Sequence, residues 1–413
     1  MTQEATQVVT QVVQGAGGLP PAVQALAQAD FSAVAQLFAN AGFTVALPAP
    51  GMLQVVKPQA DAGRASVAVS VGVHGDETGP IEVLAHLLDA LSREASALAV
   101  DLLVCVGNVD AIRAGKRFID ADLNRMFRPV RGSLAQAAES ARADDMIAAT
   151  KAFFAAAGPM RWHLDLHTAI RPSVYPTFAI VPDLVADDAK AQLIAWLGQA
   201  AIGAIIMNPQ SAGTYSYYSA EHFGAAASTV ELGRVGTLGQ NDLSLFDDVS
   251  RALDGLLRGL PAQPVKAQPH VFKVAQEIIK HSDEFRMAFD RSTQNFTSLP
   301  QHAVIASDGD HVYTVQHAEE LVVFPNPDVR VGLRAGLMVV RVAGSSSPHS
   351  AFGASRGNPL GAIFLPGVRC APAGGASGTL AHRSLSGVRH VRVHVSGNHS
   401  RLHPRLAGRL GPA

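Results

Sequence analysis

The chain has 413 residues, of which 48% are hydrophobic and 16% are charged, and its formal net charge at pH 7 is -1. This composition suffices for a large buried core and excludes a chain that is disordered throughout. The charges are segregated, because no acidic residue follows Asp328 and the residues after it include 11 arginines and no lysine. An acidic body and a basic C-terminal segment therefore need separate explanations.

Membrane and secreted proteins are excluded on similar grounds. No run reaches the roughly 18 consecutive apolar residues that a membrane helix needs, and the N-terminus lacks the pattern of a signal peptide. Cys105 lies in an apolar run and Cys370 in the basic segment, so the two cysteines do not indicate a disulfide framework. We expect a cytoplasmic protein that does not bind membranes.

Strand and helical patterns alternate from residue 66 to about residue 260. The spacing of apolar residues predicts helices at 31–41, 80–95, 134–157, 186–200 and 243–259. Apolar runs rich in β-branched residues predict strands at 66–73, 101–107, 162–167, 177–182, 204–207 and 228–232. Strands that alternate with helices predict an α/β fold, with a mostly parallel or mixed sheet flanked by helices on both faces.

A proline-rich stretch at 259–269 ends this pattern, and the residues after it show short strand patterns without helices. The sequence therefore predicts a main domain at 1–262, which begins with an N-terminal extension, and a small β-rich domain at 263–343. Residues 344–413 form a basic, low-complexity tail. We predict that this tail is disordered, because it buries too little apolar surface to offset the entropy of ordering. A change of reading frame near codon 342 is an alternative origin for it.

The first candidate site residues follow the predicted strand at 66–73. In VGVHGDETGP, His74 and Glu77 lie in a turn between that strand and a helix. Open α/β sheets place their sites at the carboxyl ends of strands, and imidazole nitrogen and carboxylate oxygen are zinc donors. A turn histidine followed by an acid that begins a helix would give the same pattern, since acids favour helix N-termini.

A third donor comes from WHLDLHTAIR, where alternation puts His163, Asp165 and His167 on one face of a strand. His167 lies at the carboxyl end. Catalytic zinc takes three protein ligands and leaves one open position, a number that His74, Glu77 and His167 meet. His163 lies deeper in the strand, where we expect a structural role.

Metal-assisted hydrolysis also needs a base and cations. Glu231 ends the apolar strand in STVELGRVG and is a candidate base, although an acid that simply emerges at a strand end would give the same pattern. The segment 113–128 mixes cations with acids, which is typical either of a solvated loop or of an anion site. Within it, Asn124 and Arg125 would suit a carboxylate, because guanidinium is a planar fork and the amide adds a donor.

The order of these motifs resembles a known family. GVHGDETG, NVDAIRAGKRFIDADLNRMF, DLHTAIR and TVELG, with QNFTSL and VVFPNPDVRVGLRAGLMVV further along, are similar to the succinylglutamate desuccinylase/aspartoacylase family of zinc-dependent amidohydrolases. The similarity covers about residues 40–343. It implies a fold like that of the zinc carboxypeptidases, and the DLHTAIR and small-domain motifs lie nearer the desuccinylase branch.

The resemblance implies roles for individual residues. His74, Glu77 and His167 would bind one Zn²⁺ per chain, Glu231 would be the general base, and Arg117 would stabilise the oxyanion. The substrate carboxylates would be held by Asn124, Arg125 and Arg171. Asp122 would orient the ring of His74. A tyrosine from TYSYYS at 214–219 is a further carboxylate candidate. The substrate would be a small anionic N-acyl amino acid, N-succinyl-L-glutamate.

Two alternatives stay open at this stage. A sister deacylase of the same family, such as an aspartoacylase, would act on another N-acyl amino acid. The 11 arginines after residue 328 would also give salt-dependent affinity for nucleic acid. That reading is weaker, because Phe352 and Phe364 are the aromatic residues of the tail and base stacking needs more. The sequence leaves the oligomeric state open.

Overall fold

The computed structural model describes residues 18–342, except residues 60, 62, 185, 267 and 291. The predicted tail at 344–413 and the first 17 residues of the predicted N-terminal extension lie outside this range. Within it, no helix combines the length and the apolar character needed to cross a bilayer.

Eight α-helices, α1 to α8, are found in the described part of the chain: Pro21–Ala27, Ser32–Asn40, Thr78–Arg93, Val109–Ala114, Glu139–Ala155, Asp187–Gln199, Tyr215–Phe223 and Asp247–Arg258. Strands β1 to β9 are Thr44–Ala46, Met52–Val56, Ser66–Val71, Asp101–Val106, Arg161–Ala169, Thr177–Pro182, Ala204–Asn208, Ala226–Arg234 and His270–Ile279. Strands β10 to β15 follow: Arg286–Met287, Thr297–Pro300, Val304–Asp308, His311–Thr314, Glu319–Val323 and Arg334–Arg341.

Twelve of these strands form one mixed sheet in the order β1-β2-β4-β3-β5-β8-β6-β7-β9-β15-β14-β11. Its central pairs β4-β3, β3-β5 and β5-β8 are parallel, as the sequence predicts, whereas β6 runs antiparallel to β8. Strand β6 reverses direction because only a short loop joins it to β5, and a parallel return needs a crossover of a dozen or more residues. These four central parallel strands, β4, β3, β5 and β8, end at the same edge of the sheet.

Alternation along the strands separates two cores. On one face, Val67, Val69 and Val71 of β3 pack with α1, α2, α3, α6 and α8. On the other face, Ala68 of β3 joins a core that includes residues of α5 and α7. The second face is the one to which the polar residues of β5 point, so the polar side chains meet under α7 and the loop before α5.

The small β domain continues the same sheet. Strand β9 pairs in parallel with β7 and antiparallel with β15, and β15 pairs with β14. A second sheet, β10-β12-β13, encloses a separate apolar core around Ile278, Ile305 and Met338. Strand β9 pairs both with β7 of the body and with β15 of the small domain, and so joins the two. The loop before β15 is therefore held beside the carboxyl ends of the body strands.

Candidate metal centre and substrate cavity

The turn after β3 is shaped by close contact with α4. A Cβ on Gly75 would lie 2.3 Å from the carbonyl carbon of Ala111, so the turn approaches the helix too closely for any side chain. The Gly75 amide donates to the Arg117 carbonyl at 3.0 Å, which ties this turn to the loop that follows α4. The turn is therefore fixed in the conformation that presents His74 and Glu77.

Glu77 lies at the start of α3, but its carboxylate does not cap the helix. One carboxylate oxygen, Oε1, is 2.8 Å from His74 Nδ1, and the other, Oε2, is 2.8 Å from His167 Nδ1. The carboxylate is almost fully buried, and Oε2 also accepts from the amide of Thr168. This geometry favours a ligand role for Glu77 over a simple helix-initiating acid.

The outer nitrogens of the two histidines also face carboxylates. His74 Nε2 lies 2.9 Å from Asp122 Oδ1, and His167 Nε2 lies 2.9 Å from Asp165 Oδ2. A ring that donates Nε2–H to a carboxylate keeps the Nδ1 lone pair free, and this is the usual arrangement around histidine ligands of metals. Both lone pairs then point toward Glu77.

These donors fit a divalent cation. Donor atoms of His74, Glu77 and His167 all lie within 4.8 Å of one another, and all three side chains are buried. Two imidazole lone pairs and a carboxylate that face each other in a buried space have no donor among them, so only a proton or a metal ion can satisfy them together. Nitrogen and oxygen donors in this number suit zinc and its neighbours among the transition metals.

Arg117 lies against the same cluster. Its Nη1 donates to Glu77 Oε1 at 2.7 Å, and its Nη2 is 3.2 Å from His74 Nε2. Burial lowers the pKa of Arg117, but Glu77 and Asp122 raise it by more, so the guanidinium stays charged. A fixed positive charge therefore lies beside the donor cluster, where a developing negative charge would be stabilised.

Glu231 differs from Glu77 because one of its buried oxygens has no hydrogen-bond partner. It is the register neighbour of His167 on the adjacent strand β8, and its buried Oε2 makes no hydrogen bond with the described residues. Burial, together with the negative charge of Glu77, raises the pKa of Glu231 to about 7. A carboxyl group of this kind can both accept and release a proton near neutral pH.

A cavity of about 780 Å³ opens over this cluster, between the body and the small β domain. It is lined by the nine residues proposed as metal ligands, catalytic groups, substrate contacts or the partner of His74: His74, Glu77, Arg117, Asp122, Asn124, Arg125, His167, Arg171 and Glu231. Six arginines and four acids are among its lining residues. The Glu77 carboxylate is directed at two histidines. The other lining side chains carry more positive than negative charge, which favours an anionic ligand.

Two family models match most of the described chain. Residues 64–257 match the model described as the succinylglutamate desuccinylase/aspartoacylase catalytic domain, and residues 267–342 match the AstE/AspA barrel-sandwich hybrid domain. A succinylglutamate desuccinylase of Burkholderia orbicola is 47% identical over 293 residues, which cover 70% of this chain and 85% of that protein. The chain belongs to the succinylglutamate desuccinylase/aspartoacylase family.

Solved structures agree with this assignment. Succinylglutamate desuccinylase from Vibrio cholerae is 33% identical, covers 73% of this chain and 88% of its own, and has a TM-score of 0.68. The enzyme from Vibrio parahaemolyticus is 31% identical over a similar span, 73% and 89% of the two chains, with a TM-score of 0.67. The fold that the sequence implies, a mixed sheet flanked by helices with a small C-terminal β domain, is therefore confirmed.

The substrate-binding candidates of the family motif occupy different positions on the cavity wall. Asn124 accepts from the amide of Tyr215 through Oδ1, which leaves its amide nitrogen as the available donor. Arg125 Nη1 donates to the Asn124 carbonyl at 2.7 Å and lies 3.9 Å from Asp122. Arg171 donates to the carbonyl of Asp290 and so contacts the small β domain from the body side.

The expectation that a tyrosine of 214–219 would face the substrate is wrong. The segment forms α7, and Thr214, which precedes that helix, is the one of these residues that lines the cavity. The Tyr215 hydroxyl is buried beside Thr150, and the Tyr217 hydroxyl donates to the Pro209 carbonyl. Tyr218 stacks on His222. Helical geometry thus turns all three rings away from the cavity.

Asp165 is a candidate site residue to which the sequence motifs assign no role. Its Oδ2 faces His167 Nε2 and its Oδ1 accepts from Ser70 Oγ, so the carboxylate fixes the ring of one of the three convergent donors. The available signal was its position two residues before His167 on the same strand face. His163 has the structural role expected, since it bonds Ser70 and Ser219 and burial lowers its pKa to about 4.

Proposed function

We propose that the chain hydrolyses the amide bond of N-succinyl-L-glutamate to succinate and L-glutamate, with one zinc ion held by His74, Glu77 and His167. The observation on which this rests is the unpartnered oxygen of Glu231 beside three convergent metal donors, in a cavity lined by arginines. Relatives that are 46–47% identical over about 70% of the chain have the name succinylglutamate desuccinylase, which supports this substrate.

The bound zinc would act as a Lewis acid and make water a stronger nucleophile near neutral pH. Glu231 would remove a proton from the attacking water, since its raised pKa lets it act as a base and later as an acid. It would then deliver that proton to the departing nitrogen. Arg117 would stabilise the negative charge that develops on the amide oxygen, because its guanidinium already lies beside the donor cluster.

Other residues would hold the substrate and the ligands in position. Asn124 and Arg125 would bind one carboxylate with the free amide nitrogen and a guanidinium, and Arg171 would meet a further carboxylate from the opposite wall. Asp122 would hold the ring of His74 by accepting from Nε2. A triply anionic substrate is consistent with the six arginines that line the cavity.

The nearer alternative is a sister deacylase that acts on N-acetyl-aspartate or another N-acyl amino acid, and comparative hydrolysis decides between the two. Purified protein should contain one equivalent of zinc and should cleave N-succinyl-L-glutamate with a higher kcat/KM than N-acetyl-L-aspartate. Chelation should abolish hydrolysis and zinc should restore it. Faster cleavage of acetylaspartate would assign the protein to the sister activity, and full activity after removal of the metal would refute the zinc mechanism.

A further inference from the structure

A second, smaller cavity of about 90 Å³ adjoins the main one. The two share Arg125, Leu333 and Arg334 in their walls, so they are neighbouring parts of one concave surface. The smaller cavity is lined by three guanidinium groups, those of Arg125, Arg128 and Arg334, and by one carboxylate, that of Glu277. Positive charge therefore exceeds negative charge at this end of the site.

Arg334 is the first residue of β15 and comes from the small β domain. Its side chain is only 11% exposed, and Nη1 donates to Glu277 Oε1 at 2.8 Å. This single hydrogen bond uses one of the five N–H donors that a guanidinium has. The remaining donors leave room for a planar, bidentate contact with a carboxylate.

The other two arginines do not neutralise this surplus. Arg128 donates to the carbonyls of Arg125 and Ala212, which are uncharged acceptors. Arg125 donates to the Asn124 carbonyl and lies 3.9 Å from Asp122, an acid already engaged by His74. Three cations thus meet at a place where two acids contact them among the described residues, Glu277 on Arg334 and Asp122 on Arg125, so positive charge remains in excess.

The electrostatic environment agrees with this geometry. Burial lowers the pKa of Arg334, and the neighbouring charge of Arg125 lowers it further. Burial and Arg125 lower the pKa of Arg128 in the same way. Guanidinium groups stay protonated in proteins, so a bound anion, rather than loss of a proton, would relieve the repulsion between these like charges.

We propose that Arg334, with Arg125 and Arg128, forms a subsite that binds a substrate carboxylate remote from the scissile amide. The inference rests on the proposed function and deepens it, because it adds a residue of the small β domain to the determinants of specificity. The carboxylate is either the terminal group of the succinyl arm or the γ-carboxylate of glutamate. Both are flexible two-carbon arms with the same planar anionic end.

Kinetics of Arg334→Met and Arg334→Lys test the subsite. The methionine variant should raise KM for N-succinyl-L-glutamate by roughly 10-fold to 100-fold, the range typical for loss of a charged hydrogen bond, and change kcat much less. Lysine should restore part of the loss, because it keeps the charge without the fork. Arg341→Met is the matched control on the same strand. Arg341 contacts His270 and Tyr175 and does not line either cavity, so its KM should equal that of the wild type.

Substrate analogues identify the carboxylate. N-acetyl-L-glutamate lacks the succinyl carboxylate, and N-succinyl-L-glutamine lacks the γ charge. One analogue lacks the carboxylate that Arg334 binds, so the wild type should already bind that analogue poorly. Arg334→Met should hardly weaken the binding of that analogue further. An equal loss on all three substrates, or no change in KM for N-succinyl-L-glutamate, would overturn the subsite.

Product binding separates the subsite from the proposed reaction. Calorimetry with succinate and with L-glutamate should show weaker binding of one product to Arg334→Met, and Glu277→Gln/Arg334→Met repeats the measurement without an unpaired acid. If the wild type cleaves none of the substrates but one product still binds through Arg334, the subsite stands and the proposed function fails. If neither product distinguishes the wild type from both variants, the subsite is refuted.

Discussion

Glu231 is the acid whose removal should separate metal binding from chemistry. Glutamine keeps the shape of the side chain but cannot take a proton from water, so Glu231→Gln should lower kcat by about 100-fold to 10,000-fold. Glu231 is not among the three convergent donors, so zinc content should stay at the wild-type value. Metal analysis and kcat for N-succinyl-L-glutamate measured on the same preparation check both parts.

Glu320→Gln is a suitable control for this change. Glu320 is fully buried in the small β domain, but its oxygens accept from Gln276 and from backbone amides, and it does not line the cavity. Its replacement should lower stability and leave kcat unchanged. Substantial hydrolysis by Glu231→Gln would instead remove Glu231 from the role of base.

Asp165 should affect metal affinity without touching the metal. Replacement by asparagine removes the charge that faces His167 Nε2, so we expect zinc affinity to fall about 10-fold to 100-fold. Competition with a chromophoric chelator measures the change. Ser70→Ala removes the other hydrogen bond of Asp165 but leaves its contact with His167, so its effect should be smaller. Equal losses in the two variants would point to packing rather than to orientation of the ring.

At the residue scale, sequence position predicted donors better than it predicted their partners. His74, Glu77 and His167 lie together because they end or follow parallel strands, and strand ends can be read from sequence. The partner role of Asp165 depends on how the His167 ring is rotated, which follows from packing. The tyrosines of 214–219 failed as candidates because helical rotation, rather than composition, decides which of them faces the cavity.

Among the secondary-structure elements, helix α6 is followed by a residue whose backbone conformation is unfavourable. Ala201 follows the helix with φ of +56°, in the left-handed region where glycine is favoured. Ala201→Gly should stabilise the protein by about 0.5–1 kcal/mol, because relief of the Cβ clash exceeds the extra entropy lost on folding. Urea denaturation measures the change.

The preceding residue gives a control of opposite sign. Ala200 has φ of -74°, which any residue adopts, so Ala200→Gly gains no relief and should destabilise the protein. A loss of stability in both variants would show that the Ala201 methyl group contributes more through packing than it costs in strain.

The predicted elements were accurate where periodicity was long. The helix predicted at 186–200 is observed at Asp187–Gln199, and the strand predicted at 177–182 is observed with those bounds. Strands β1, β2, β10, β11 and β12 were not predicted. All five are only two to five residues long and are specified by their pairing partners, as β2 is by β4, rather than by their own alternation.

Over the whole molecule, the active-site cavity requires both parts of the chain. The sequence predicted a small β domain after the proline-rich stretch, but not that its last strand would place Arg334 beside Arg125. That arrangement depends on β9, which pairs with β7 of the body and with β15 of the small domain. Pairing across such a long separation cannot be read from local patterns, whereas the local strand signals can.

The segregation of charge gives a prediction for the whole chain. Residues 344–413 contain eight arginines and no acid, whereas all the proposed site residues precede residue 343. A chain cut after residue 343 should therefore keep its kcat/KM for N-succinyl-L-glutamate. It should also lose any affinity of the full chain for single-stranded RNA, and the logarithm of that affinity should fall linearly with the logarithm of salt concentration. Fluorescence anisotropy with labelled poly(U) measures this binding.

Loss of hydrolysis by a shortened chain that stays folded would show that the basic segment contributes to the reaction. RNA affinity that survives the cut would place the binding surface on the body instead.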